Sequence, residues 1–194
     1  GGRANSVRLL LAGTALGSVC SAFSNFVVYI AGDRDGIQTV TFWLMGSLAN
    51  VSYRDVLLCA AIEIPCLAVA MILRWKMNLL SLEQEEARSL GINVKKLRLA
   101  VILIATIMTA VTVSVCGIIG WIGLVIPHIA RLLIGNDHRT LIPASALMGS
   151  IYLLLIDTAA RAATAGEVPL SILTAMVGAP FFAVILRKTS GGRE

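Results

Sequence analysis

Few side chains could do chemistry within the long apolar runs of this chain, and Glu63 is the first to consider. It lies between Val56 and Leu73, in an otherwise uncharged run that also contains Pro65. A carboxylate at such a depth is costly in a membrane and for that reason often functional. Two interpretations follow: Glu63 carries a proton or a cation, or it is neutral or faces a polar seam between helices. The residues alone leave both open.

Other reactive residue types form no recognisable catalytic or metal site. The sequence has no G-x-S-x-G, no H-E-x-x-H, no paired intramembrane aspartates and no G-x-x-x-x-G-K-[ST] loop. His128 and His138 lie near the predicted cytoplasmic surface. The cysteines fall in apolar runs without C-x-x-C spacing, which is typical of small buried side chains: Cys20, Cys59, Cys66 and Cys116. ATP hydrolysis by the chain itself is therefore excluded, and a membrane-embedded hydrolase is an alternative without a motif.

The one long charged passage, Arg74 to Arg98, separates two strongly apolar regions. Within it, Ser81 and Gln84 have the spacing of a capping box, and Gly91 suits a helix C-cap. The pattern predicts a short helix, Leu82 to Leu90, with acidic residues in its first turns. Such a helix is too short to be stable alone in water, so a partner is expected to pack on it.

The composition bounds the class of protein in which these residues act. The chain has 194 residues, of which 57% are hydrophobic and 14% charged, and its mean hydropathy is +0.86. A soluble domain carries about 25% charged residues. The values indicate a membrane protein, with lipid as one of its partners. The net charge of +5 does not indicate nucleic-acid binding, because basic residues are not interleaved with aromatic ones.

The apolar runs predict an all-α, polytopic transmembrane helical bundle with six spans. Residues 36–53 are too polar for a further crossing and predict a short re-entrant or interfacial helix, with Trp43 at headgroup depth. The uncharged run from Leu99 is too long for one span and contains several glycines, so it is predicted to go up and return. The six spans are Leu9–Gly32, Val56–Leu73, two within Leu99–Ile134, Thr140–Ile156 and Val168–Leu186.

The distribution of positive charge selects this topology. With the charged passage inside, all but three of the 16 Lys and Arg residues lie on the cytoplasmic side, the exceptions being Arg34, Arg54 and Arg161. Both termini are then cytoplasmic. Asp157 and Arg161 are four residues apart on one helical face at the outer surface, where they can form a local ion pair.

Four segments of the sequence resemble one protein family. They are FWLMGSL (42–48), MNLLSLEQEEARSLGINV (77–94), GIIGWIGLVIPHIARLLIGNDHRTLIPASALMG (117–149) and LLIDTAARAATAGEVPLSILTAMVGAPFFAVIL (154–186). In order and spacing they are similar to the permease subunits of binding-protein-dependent ABC importers for iron-siderophores, haem and cobalamin. The resemblance implies residues 1–194 are one transmembrane domain, the C-terminal part of a ten-span subunit. The chain starts without methionine, as a piece of a longer polypeptide would, and a truncated, non-transporting remnant is an alternative.

The resemblance also implies roles for particular residues. The charged loop corresponds to the coupling region that docks on a cytoplasmic ATPase, and Arg161 to an outer arginine that pairs with the substrate-binding protein. Ser6, just before Arg8, lies near the position of the cytoplasmic gate. The expected ATPase-coupling residues are Leu82, Glu86, Ala87, Arg88, Leu90 and Gly91.

The expected partners follow from the same resemblance. They are cytoplasmic ABC ATPase subunits, an outer substrate-binding protein and a second permease subunit, identical or different, in a bacterial inner membrane. The chain would have no enzymatic activity, no metal and no cofactor of its own, because ATP and Mg²⁺ belong to the ATPase. Glu63 matches none of the family's motifs.

Overall fold

The computed structural model describes residues 2–31, 34–81, 93–163 and 168–190. Within these ranges the fold is all-α, as expected. A 3-10 turn, Asn78–Ser81, directly follows the helix that ends at Met77. The α-helices are α1 (Gly2–Ala31), α2 (Arg34–Leu44), α3 (Tyr53–Met77), α4 (Val94–Cys116), α5 (Ile122–Ile134), α6 (His138–Ala163) and α7 (Leu170–Ser190).

Capping side chains decide where the long helices begin, and hydropathy alone did not locate these ends. Ser52 and Asp55 form a capping box at the start of α3: each side chain bonds the other residue's backbone N–H, at 3.3 and 3.0 Å. Asn93 Oδ1 accepts from the backbone N–H of Lys96 at 3.1 Å and starts α4. Both helices therefore begin a few residues before the apolar runs that predicted them.

Among the described residues, four helices are long and apolar enough to cross a membrane, and they correspond to four of the six predicted spans. The crossing segments are Leu10–Ile30, Tyr53–Leu80, Val94–Cys116 and His138–Ala163. The other two predicted spans coincide with shorter apolar helices, Ile122–Ile134 and Leu170–Ala183. At 1.5 Å per residue, the 13 residues of α5 extend about 20 Å, less than the ~30 Å of a hydrocarbon core. Helix α5 is thus shorter than the full crossing that the sequence predicts there.

The chain divides into two compact units, Gly1–Leu44 and Met45–Glu194. In the first unit α1 packs against α2, and Phe23 and Val27 of α1 face Val40 and Trp43 of α2 across a shallow groove. Helix α2 overlaps residues 36–53, for which a short re-entrant or interfacial helix was predicted, and its placement at the membrane stays a prediction.

In the second unit, α3 packs on α4 and α6, while α5 packs on α6 and α7. The buried side chains concentrate where α5 meets its neighbours: Val125, Ile126, Ala130, Leu141, Leu170 and Thr174. Most other large apolar side chains are exposed on the helix surfaces. Exposure on this scale is unusual for a protein in water and normal for one whose helices face lipid or other helices.

The segment Met45–Ser47 fastens the start of α7 to the end of α4. The carbonyl oxygens of Gly46 and Met45 accept from the backbone N–H groups of Leu170 and Ser171 at 3.0 and 3.2 Å, and Ser47 N–H donates to the Cys116 carbonyl at 3.0 Å. The first-turn amides of α7 thereby find acceptors, which a helix start requires. Gly46 has φ +72°, and a Cβ there would lie 2.7 Å from the Ile118 carbonyl oxygen.

Trp121, at the turn into α5, is held in an unfavourable backbone conformation with φ +66°. Its side chain lies directly on Gly178 of α7, and its ring centroid is 5.9 Å from that of Phe182. Glycine at 178 lets the two helices approach this closely.

Candidate functional site

The most extensive polar arrangement in the described part of the chain joins the end of α3 to the start of α6. Gly135, with φ +87°, makes the turn after α5 that brings Asp137 to the N-cap of α6. The Asp137 carbonyl accepts from the N–H groups of Thr140 and Leu141, and its Oδ1 accepts from Arg139 N–H at 2.9 Å. The turn thus presents a carboxylate and the His138 side chain toward α3.

Asn78, in the 3-10 turn after α3, contacts both of these residues. Its Nδ2 donates to Asp137 Oδ1 at 2.7 Å, and its Oδ1 accepts from His138 N–H at 2.9 Å and from His138 Nδ1 at 2.7 Å. The opposite amide orientation would place Nδ2 against a backbone N–H, so the contacts fix the orientation. They also require a proton on His138 Nδ1. We call Asn78, Asp137 and His138 the Asn78 cluster.

The environment of Asp137 favours its charged form. The hydrogen bond from Arg139 N–H and then the bond from Asn78 lower the pKa of Asp137 below its usual value of 3.8. Desolvation raises this pKa by less, and the charges of Arg139 and His138 lower it by smaller amounts still. The cluster therefore contains a carboxylate at neutral pH, which strengthens its hydrogen bonds.

A second set of contacts between α3 and α6 lies one helical turn before Asn78, on the same face of α3. Arg74 Nη1 donates to the Arg139 carbonyl at 3.1 Å, and the Arg139 guanidinium lies 6.0 Å from the ring centroid of Trp75. These side chains, with Met71 and Ile72, line an open groove between α3 and α6. The end of α3 and the first turn of α6 are thus joined at two successive turns.

The predicted ATPase-coupling residues Leu82, Glu86, Ala87, Arg88, Leu90 and Gly91 all lie outside the described residues, so their roles stay predictions. The described residues on either side are Ser81, three residues after Asn78, and Asn93, the N-cap of α4. Ser6, the predicted gate residue, lies within α1, whose backbone is described there. Its role also stays a prediction.

Arg161 forms the local ion pair that its spacing from Asp157 allows. Nε lies 2.9 Å from Asp157 Oδ2, with the side chains 48% and 20% exposed respectively. The pair is near the end of α6, whereas His138 is its first residue. At 1.5 Å per residue, 23 residues of helix separate the two positions by about 35 Å. One helix thus connects the Asn78 cluster with the predicted docking arginine.

Glu63 finds a partner on the neighbouring helix. Its Oε1 lies 2.9 Å from Thr112 Oγ1 of α4, and the same hydroxyl is 2.9 Å from the Met108 carbonyl. Glu63 is half-buried in α3. This geometry favours the polar-seam interpretation over a proton or cation site, because the carboxyl group is engaged in helix association.

The sequence does not predict the Asn78 cluster, although the polar loop that contains Asp137 and His138 is evident in it. Asn78 is 59 residues from Asp137, and nothing in the local pattern pairs them. Glu63 and Thr112, 49 residues apart, present the same difficulty. Within the described residues, no group of three or more His, Cys, Asp or Glu side chains is placed to hold a metal ion.

Comparison with known proteins identifies several relatives over nearly the whole chain. The molybdate import system permease protein MolB of Haemophilus influenzae is 39% identical over 184 residues, which cover 95% of this chain and 55% of that protein. The hemin transport system permease protein HmuU of Yersinia pestis is 39% identical over 189 residues, 96% of this chain and 56% of that protein. The chain spans about half the length of the curated relatives it matches.

A solved structure described as a metal-chelate type ABC transporter in an inward-facing conformation has the same fold. It superposes with a TM-score of 0.88 at 39% sequence identity and covers 92% of this chain and 58% of that chain. This structural match, together with the haem and cobalamin permeases among the relatives of the present chain, confirms the resemblance noted in the sequence. Residues 1–188 match the FecCD transport family, and the chain belongs to that family.

Proposed function

We propose that this chain is part of the membrane-spanning permease of an ABC importer, which moves an iron-siderophore, haem or cobalamin-type substrate and is powered by separate ATPase subunits. The observation that carries the proposal is the match of about 95% of the chain to permease proteins at about 40% identity. The chain would catalyse no covalent chemistry itself. Its partners would be ATPase subunits, a substrate-binding protein and a second permease subunit in a bacterial inner membrane.

The polar contacts of the second unit support the proposal that its helices cross the membrane in alternate directions. At one end Met45–Ser47 meet Cys116 and Leu170, and at the other Asn78 meets Asp137. This arrangement agrees with α3 to α7 running in alternate directions, with α5 and α7 as shortened crossings. The positive-inside rule assigns the Asn78 end, with residues 82–92, to the cytoplasm.

The mechanism we propose is a shift between conformations that expose the path to opposite sides. ATP binding and hydrolysis on the partner can change this equilibrium only through contacts that differ between the two states. Residues 82–92 are the proposed contact. The binding protein would deliver substrate at the opposite end, where Arg161 lies.

Reconstitution of the complex in liposomes tests the proposal. With ATPase and binding protein present, substrate should stimulate ATP hydrolysis and accumulate in the lumen. Leu90→Asp should abolish both while leaving membrane insertion intact, because a charge would enter an apolar contact. Leu90→Met, which keeps apolar character and volume, is the matched control. Normal coupling in Leu90→Asp would contradict the assignment of residues 82–92.

The substrate class needs a separate measurement, since relatives are named for molybdate, haem and cobalamin. Thermal stabilisation of the cognate binding protein by a ferric siderophore, haem, cobalamin or molybdate would identify it. Stabilisation by molybdate alone would contradict the proposed class of bulky substrates.

A further inference from the structure

Asn78 lies four residues before the proposed coupling helix, and its side chain is engaged with another transmembrane helix. We propose that Asn78 is a positioning residue that holds the end of α3 against the first turn of α6. Movement imposed on residues 82–92 by the ATPase is thereby passed to α6. Through α6 it reaches the end of the bundle where Arg161 lies. This inference rests on the proposed function.

The contacts of Asn78 leave little freedom between the two helices. One amide group makes three hydrogen bonds of 2.7 to 2.9 Å, with both its oxygen and its nitrogen engaged by consecutive residues of the α6 start. Asp137 shares its Oδ1 between Asn78 and the backbone of Arg139, so the contact reaches the N-cap of α6. Arg74 bonds the Arg139 carbonyl one turn away. Two attachment points resist rotation as well as separation.

The hydrogen bonds of Asn78 and Asn93, which lie before and after residues 82–92, go to different helices. Before the loop, Asn78 bonds to α6, a different helix. After the loop, Asn93 Oδ1 accepts from Lys96 N–H within its own helix α4. The contacts therefore provide a route from the loop into α6 on the α3 side.

Helix α6 is suited to carry such a movement. It has 26 residues and is about 39 Å long at 1.5 Å per residue. Leu141 near its start and Ala160 near its end are buried, so each end is embedded among neighbouring helices. Pro143 removes one backbone hydrogen bond near the start of α6, but the helix runs on to Ala163, so a shift of its first turn displaces its far end.

The test exchanges the amide and the carboxylate in the reconstituted complex. Asn78→Asp places two carboxylates within contact distance and should reduce substrate transported per ATP roughly fivefold. Combining Asn78→Asp with Asp137→Asn restores a donor facing an acceptor, and should recover most of the loss. Ser52→Ala removes a side-chain cap at the opposite end of α3. It is the matched control, expected to lower thermal stability without changing transport per ATP.

The outcomes separate this inference from the proposed function. A coupled wild-type complex in which Asn78→Asp keeps the wild-type ratio overturns the inference alone. A loss that the Asp137→Asn exchange does not recover, or an equal loss in Ser52→Ala, assigns the effect to stability and also overturns it. A wild-type complex in which substrate does not stimulate hydrolysis overturns the proposed function, and the inference with it.

Discussion

Asn78 and His138 are 60 residues apart in the chain, and Asn78 Oδ1 accepts hydrogen bonds from both the backbone and the ring of His138, at 2.9 and 2.7 Å. The relationship joins the helix before the charged loop to the helix that carries Arg161. The two sites implied by family resemblance are thereby connected through residues to which the resemblance assigned no role.

Asp137 makes the stability of this junction depend on pH in a predictable direction. Because its pKa is lowered on folding, the charged form stabilises the native state above the ordinary value of 3.8, and this contribution is lost as pH falls through the lower native value. The wild-type protein should therefore melt above the Asp137→Asn variant at neutral pH. The difference should shrink below pH 3.8. A difference that grows on acidification would contradict the assignment.

Arg161→Glu should weaken docking of the substrate-binding protein. An exposed ion pair contributes about 0.2–1 kcal/mol, and reversal adds repulsion, so we expect the Kd to rise at least about threefold at low salt and less at high salt. Arg187→Glu makes the same charge change near the far end of α7 and is the matched control. An unchanged Kd for Arg161→Glu at low ionic strength would remove Arg161 from the docking surface.

The long crossing helices were predictable because each contains an apolar run of adequate length, which in α3 is interrupted by one charged residue, Glu63. Hydropathy placed Val56–Leu73 inside α3, but the helix extends over Tyr53–Met77. The difference arises at its ends, where the Ser52–Asp55 capping box starts the helix and basic residues continue it. Hydropathy averaged along the sequence does not detect such local polar contacts.

The contacts between distant residues were not predictable in the same way. Asn78 with Asp137, and Glu63 with Thr112, depend on how helices pack, and each residue has many polar candidates at other positions. Likewise, a tryptophan with φ +66° at position 121 follows from its packing on Gly178, since its own preference opposes that conformation. Tertiary packing decided these features.

Glu63→Gln should preserve transport, because an amide can still bond the Thr112 hydroxyl. Glu63→Ala should cost about 0.6 kcal/mol of stability, the average for a side-chain hydrogen bond between membrane helices. A double-mutant cycle with Thr112→Val, followed by thermal unfolding in detergent, should show that the two changes are not additive. Loss of transport in Glu63→Gln would instead restore the proton or cation interpretation.

Gly178→Ala should destabilise the junction of α5 and α7. The new methyl group would lie 2.7 Å from Trp121 Cβ and 2.8 Å from Cγ, closer than side chains tolerate. Trp121 cannot easily withdraw, because its backbone is already strained and its ring contacts Phe182. We expect the free energy of unfolding to fall by about 1–3 kcal/mol, seen as a lower melting temperature in detergent.

Gly149→Ala on α6 is the matched control, since its methyl group would meet Ile126 Cγ2 at an ordinary 3.9 Å. Helix preference alone favours alanine over glycine by about 0.5–1 kcal/mol, so Gly149→Ala should melt at or above the wild-type temperature. Equal behaviour of the two variants would show that Trp121 does not pack on Gly178 in the membrane protein.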